Sequence, residues 1–167
     1  MELEDAVMGI KVQGMETFQT NLENLASGIS KINNMALYEA AGIVAEEMRS
    51  ALESLPTYDK WYGTDGHPIY GATPSEKAQI IENFGIADFR NTGDGSQTSL
   101  GFTGYVNTPS TRYNDKVPTG MLMQCINYGT QFRKGTHTLD RVEKNAKEKA
   151  IQAAQNKIDQ EIKKLNI

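Results

Sequence analysis

Cysteine occurs once in the 167 residues, at Cys125. An intrachain disulfide is therefore impossible, and no thiolate cage for zinc can form. Histidine is nearly as scarce. His67 and His137 are the only two, and neither has a second histidine nor an evident carboxylate at metal-ligand spacing. Long apolar runs are missing as well: none approaches the ~18 residues needed to cross a bilayer. The acidic opening, Met1 to Val12, lacks the apolar core of a signal peptide. A cytoplasmic protein without membrane contact is expected. The net charge of -4 argues against a dedicated nucleic-acid binder.

The usual catalytic signatures are also absent. There is no Gly-x-Ser-x-Gly elbow, no Walker loop and no dinucleotide fingerprint. Gly93-Asp94-Gly95 lies between two expected strands, whereas phosphate cradles open a helix. Glu46 and Glu47 are adjacent on a helix and diverge by about 100 degrees, so they cannot act as a carboxylate pair. Asp65-Gly66-His67 is the one conceivable acid–base pair, and it reads first as a polar turn. No catalytic residue, no cofactor or metal site and no small-molecule substrate are expected.

What is present is helical periodicity. Phe18, Leu22, Leu25 and Ile29 recur at spacings of three and four, predicting a helix over Met15 to Ile29. Gly28, Ser30 and the Asn33-Asn34 pair are expected to end it. A second helix is predicted over Met35 to Leu55, with Leu37, Ala41, Val44, Met48, Leu52 and Leu55 in one stripe. Asn34 would cap it, and Pro56 would follow its end. Before these, Gly9 to Gly14 alternates like an edge strand. The clearest element is the last. Leu139, Val142, Ala146, Ala150, Ala154, Ile158, Ile162 and Leu165 form a stripe through a helix over 139–165, with Thr138 as cap.

Between the long helices the pattern is weaker. Thr73 or Ser75 can cap a short helix running to Phe84, with Ala78, Ile81 and Phe84 inward and Gly85 at its end. Ile86 to Arg90 and Thr98 to Val106 read as strands joined by the turn Asn91 to Gly95. Asn107 to Pro118 reads as loop, and Met121 to Tyr128 is a short apolar segment of undecided type. Gln131 to Thr138 reads as basic loop. The expected fold is α+β: a small antiparallel sheet packed against a long central helix and a long C-terminal amphipathic helix, in a single domain spanning 1–167.

Residues 56–74 differ from everything else. Three prolines and three glycines fall in these nineteen residues, which predicts a loop without regular elements. Such loops are functional or unstructured. Tyr58, Trp61, Tyr62 and Tyr70 lie in it, and aromatic residues of this kind anchor interfaces. They are the candidate partner-contact residues. Charge is also uneven. Met1 to Pro56 carries nine acidic and three basic residues, whereas Leu139 to Ile167 carries seven basic and five acidic. Such asymmetry favours head-to-tail contact between copies.

One further pattern adds to this reading. Tyr128-Gly129-Thr130 follows the short apolar segment. A basic stretch and then His137 and Arg141 open the last helix. This resembles the C-terminal half of the gene-product-ten-like tail-completion, or head–tail joining, proteins of long-tailed bacteriophages. Thr138, Leu139 and Val142 stand where that family commonly has Pro, an aromatic residue and Pro. The hairpin through Gly101-Phe102-Thr103-Gly104-Tyr105 and the opening Gly9 to Gly14 resemble the same family. The resemblance implies a structural virion protein of the neck, present in the host cytoplasm during assembly. It implies a homo-oligomeric ring whose partners are connector (portal-side) and tail proteins. Different readings are a small hydrolase or nuclease using Asp65 and His67, or a stand-alone adaptor.

Overall fold

The computed structural model describes residues 15–61, 63–88, 90–92 and 95–164. The predicted strand at Gly9 to Gly14 and the contact residue Tyr62 lie outside them. The fold is α+β, with helices α1 (Met15–Glu53), α2 (Pro74–Glu82), α3 (Thr119–Tyr128) and α4 (Thr138–Lys164).

The two predicted N-terminal helices are one. α1 runs unbroken through Gly28 and the Asn33-Asn34 pair, so Asn34 is an interior residue and caps nothing. Glycine and asparagine each disfavour a helix interior by only ~1 kcal/mol or less. No proline interrupts the segment, and Ile32 and Ala36, which flank the asparagines, are buried. Tertiary packing therefore overrides the local break signals. The main partner of α1 is α4. The two run antiparallel: Lys149 and Asn145 reach Glu47 at 3.4 Å, while Lys157 lies beside Lys31 to Glu39. Small side chains (Ala36, Ala41 and Ala45 on α1, Ala146 and Ala150 on α4) are buried and allow close approach of the backbones.

The predicted α4 stripe is buried only in part. Val142, Ala146 and Ala150 are buried, Leu139, Ala154 and Ile158 are half-buried, and Ile162 is exposed. A 3.6-residue period drifts off a straight seam over this length, and Lys157 and Glu161 take the more protected positions towards the C-terminus. At the end of α1, which lacks a basic residue in its last turn, the ammonium of Lys77 on α2 donates to the carbonyls of Glu53 and Leu55. That arrangement satisfies carbonyls the helix leaves open.

The strands are shorter and more numerous than the sequence suggests. β1 (Ile69–Tyr70), β9 (Arg133–Lys134) and β8 (Gly129–Thr130) form a three-stranded sheet in the order β1-β9-β8, with β1 parallel to β9. Three antiparallel pairs join β2 (Phe84–Ile86) to β5 (Leu100–Phe102), β3 (Arg90–Thr92) to β4 (Gly95–Gln97), and β6 (Tyr105–Asn107) to β7 (Lys116–Pro118). The long strand expected over Thr98 to Val106 breaks at Gly104, whose φ is 67°. Arg90 to Thr92 belong to a hairpin strand of their own. Met121 to Tyr128 lies in helix α3, and β7 lies inside the stretch expected to be loop.

In α2 the cap is Thr73, with a full capping box to Glu76 and Pro74 at the first turn. The helix ends at Asn83, not Gly85. Its buried residues are Glu76 and Ile80, and Ala78 faces solvent. The core joins Ala45, Leu52 and Leu55 of the α1 end with Ile80, Phe84, Val106, Leu122, Met123 and Ile126. The rings of Phe84 and Phe102, cross-strand partners, sit 5.5 Å apart.

Candidate functional site

Segment 56–74 is not the element-free loop that its composition suggests. Its ends are tied together, since Tyr58 N–H donates to the Ala72 carbonyl (2.8 Å) and Ala72 N–H to the Pro56 carbonyl (2.9 Å). Gly71 has φ 93°, and a Cβ there would collide with the Pro56 carbonyl. Only glycine fits that crossing. The middle of the segment is held by β9. Gly63 and Ile69 N–H both donate to the Phe132 carbonyl, at 3.2 and 3.1 Å. Its backbone thus packs on the rest of the fold, with the side chains of Tyr58, Trp61 and Tyr70 left at the surface.

The anchor beneath this segment is a buried ion pair. The Arg133 guanidinium, 8% exposed, meets the Glu76 carboxylate, fully buried, at 3.4 Å. The same guanidinium donates to the carbonyls of Gly71 and Trp61. Glu76 also accepts from Thr73 N–H at 2.8 Å and from the Thr108 hydroxyl at 2.7 Å. Each oxygen of the carboxylate thus has a donor, as a buried charge requires. The network joins four separate parts of the chain: 56–74, the start of α2, the segment after β6 and β9.

Above this network lies a groove of about 240 Å³ between 56–74, the segment after β6, α3 and the β8–β9 turn. Trp61, Tyr113, Val117, Met121, Leu122, Cys125 and Phe132 make its walls, and Thr108 and Arg133 lie beneath. Trp61, Met121 and Phe132 are 37%, 38% and 44% exposed. A second recess on the other side of Trp61 is lined by Thr108, Asn114, Asp115 and Lys116. Asn114 and Asp115 both have positive φ, 50° and 60°, in a turn where Asp115 Oδ1 accepts from Ser110 N–H at 2.7 Å.

Of the predicted contact residues that the structure describes, Trp61 lines the groove. Tyr70 and Tyr58 are exposed outside it, and the Tyr70 ring has the Lys134 ammonium 5.9 Å from its centre. Phe132 and Arg133 were hidden in what reads as a basic loop. Glu76 had a legible signal, because Thr73-Pro74-Ser75-Glu76 is a capping-box sequence. Asp65 and His67 sit in a tight exposed turn closed by reciprocal hydrogen bonds between Thr64 and His67 backbones. Among the described residues, no group of three or more His, Cys, Asp or Glu side chains is placed to hold a metal ion.

The second residue cluster, Tyr128 to Arg141, forms a backbone crossing. Gly129 has φ 86°, and a Cβ on it would sit 2.7 Å from Gly135 N. A Cβ on Gly135 would sit 2.8 Å from the Asn127 carbonyl oxygen. The chain after the β8–β9 turn therefore passes directly over the end of α3. Thr136 and His137 N–H donate to the Ile126 and Asn127 carbonyls, both at 2.9 Å. Thr138, the expected cap, is the first residue of α4, and its hydroxyl pairs with Thr136 at 2.8 Å. The capping is done from α3. Asn127, fully buried, accepts from Leu139 N–H at 2.7 Å and donates to Asp140 at 3.1 Å. Asp140 also meets His137 at 3.0 Å. These hydrogen bonds from His137 and then Asn127 hold the Asp140 carboxyl below its usual range. Arg141 reaches the Thr138 hydroxyl at 3.4 Å.

No helix among the described residues is long and apolar enough to cross a membrane. Comparison with protein-family models, with curated proteins and with solved structures finds no match for this chain.

Proposed function

We propose that the chain is a structural component of a long-tailed phage neck, a tail-completion protein that joins head to tail as part of a homo-oligomeric ring. In this reading it contacts connector and tail proteins in the particle, passes through the host cytoplasm during assembly, and catalyses no reaction. The observation that carries the proposal is the division of labour between the two residue clusters. Gly129 and His137, which carry the resemblance, lie in the crossing that fastens α3 to α4. The exposed aromatic surface lies apart from it, around Trp61 and Phe132, on a rigid buried base. A preformed apolar groove with aromatic walls on a buttressed support is how an interface anchor pocket is built.

The test is light scattering coupled to size-exclusion chromatography, on the chain alone and mixed with connector and tail proteins of the same phage. A ring of defined mass, or a stable complex with either partner, is expected. A chain that stays monomeric and joins neither partner overturns the proposal.

A further inference from the structure

We propose that the groove beside Trp61 receives residues 1–14 of a second copy of the chain, so that neighbouring copies are linked by an exchanged N-terminal arm. The inference rests on the assembly reading and names the partner of its groove. Size comes first. The cavity, about 240 Å³, is smaller than the ~300–1,000 Å³ of ordinary small-molecule sites. It suits one bulky aliphatic side chain entering between Trp61, Met121, Leu122 and Phe132.

Charge comes next. The Arg112 guanidinium sits 5.5 Å from the centre of the Tyr113 ring in the groove wall, and Lys116 lines the adjoining recess. Asp115 is there too, with an oxygen already occupied by Ser110 N–H. The surroundings favour an acidic segment that carries an aliphatic anchor. The chain contains one outside the described residues: Glu2, Glu4 and Asp5 surround and precede the apolar Leu3, Ala6, Val7 and Met8, and Lys11 is the one basic residue before Met15.

Reach decides between a chain's own groove and its neighbour's. α1 begins at Met15 and joins the core at Ala45, about 45 Å away along the helix at 1.5 Å per residue. Leu3 is twelve residues before Met15, and that span covers at most about 43 Å fully extended. The arm would use its whole length merely returning to Ala45, whereas the groove walls stand on α3, on 56–74, on the segment after β6 and on the β8–β9 turn, none of them on α1. A helix that carries the arm away from its own groove delivers it to another molecule. One arm and one groove per copy make a heterologous contact, the kind that closes into rings.

Trp61 is the only tryptophan and reports on the groove directly. A synthetic peptide of residues 1–14, titrated into the dilute full-length protein, should shift Trp61 emission to the blue with saturation. Raised salt should weaken the binding several-fold. Met121→Asp, at a half-exposed wall, should abolish the response, and a scrambled peptide should give none. In the full chain, Leu3→Asp with Val7→Asp should lower self-association in light scattering without moving the thermal midpoint. An unchanged Trp61 spectrum at millimolar peptide overturns the arm. If the chain still forms rings that the double variant leaves intact, the arm is wrong and the assembly reading stands. If the chain neither self-associates nor joins its partners, the assembly reading itself fails.

Discussion

Replacing Arg133 with Met removes the cation from the buried pair while keeping much of the side-chain volume. The Glu76 carboxylate, fully buried, would then keep Thr73 N–H and the Thr108 hydroxyl but lose its counter-charge. Breaking a buried pair from one side costs about 3–5 kcal/mol, because the remaining charge is left uncompensated. The carbonyls of Gly71 and Trp61 also lose their donor, adding about 1 kcal/mol each. Against a total stability of ~5–15 kcal/mol, this is a severe lesion. At about 2–4 °C per kcal/mol for a chain of this length, the thermal midpoint should fall by at least about 10 °C and by up to roughly 28 °C. The assay is urea and thermal unfolding followed by circular dichroism and by Trp61 fluorescence. A second variant, Arg133→Met with Glu76→Gln, removes both charges and should recover a substantial part of the loss, giving a coupling of at least ~1 kcal/mol. If Arg133→Met unfolds at the parent midpoint, Glu76 is solvated and the buttress beneath the groove does not exist. If the double variant shows no recovery, the cost lies in packing, and charge pairing is the wrong explanation.

Asn127→Ala should destabilise the chain by about 1–3 kcal/mol in urea unfolding, because Leu139 N–H at the start of α4 loses its acceptor. An unchanged urea midpoint would mean that α4 is capped some other way. Gly135→Ala should cost at least as much, since its Cβ would press on the Asn127 and Tyr128 carbonyl oxygens at 2.8 Å; a stability equal to the parent's would rule out the close crossing. The Asp140 carboxyl has a lowered folded pKa, so its contribution is present above the unfolded value and is lost as pH falls through the folded one. The stability gap between the parent and Asp140→Asn should therefore be constant near neutrality and close in acid, as pH falls below the ordinary carboxylate range; a gap that opens in acid would reverse the sign of the argument. Ala146→Asp, in the α1–α4 seam, should cost several kcal/mol, whereas Ile162→Asp, 46% exposed, should stay within ~0.5 kcal/mol. Equal thermal shifts for the two would place the seam elsewhere.

The sequence by itself determined the elements whose signals are local. The period of α4 from Leu139 to Ala150 and a short helix capped at Thr73 or Ser75 follow from neighbours within a few residues, which is the range of helix periodicity and turn chemistry. Even the exposure of Tyr58, Trp61 and Tyr70 was legible, since Pro and Gly deny segment 56–74 a face on which to bury them. Tertiary structure decided everything that depends on what crosses what. Gly28 and Asn33-Asn34 carry local stop signals, yet α4 packs along α1 and the burial of Ile32 and Ala36 outweighs them. The cap of α4 comes from Asn127, on α3, and not from the adjacent Thr138. Gly129 and Gly135 look like ordinary turn glycines in sequence, and only the passage of one strand over the other shows why neither tolerates a Cβ. Arg133 could be read as one cation in a basic loop, because its partners lie 57 to 72 residues away. A side chain's solvation is set by the elements folded around it. The groove that joins Trp61 to Phe132 therefore exists only in the folded chain.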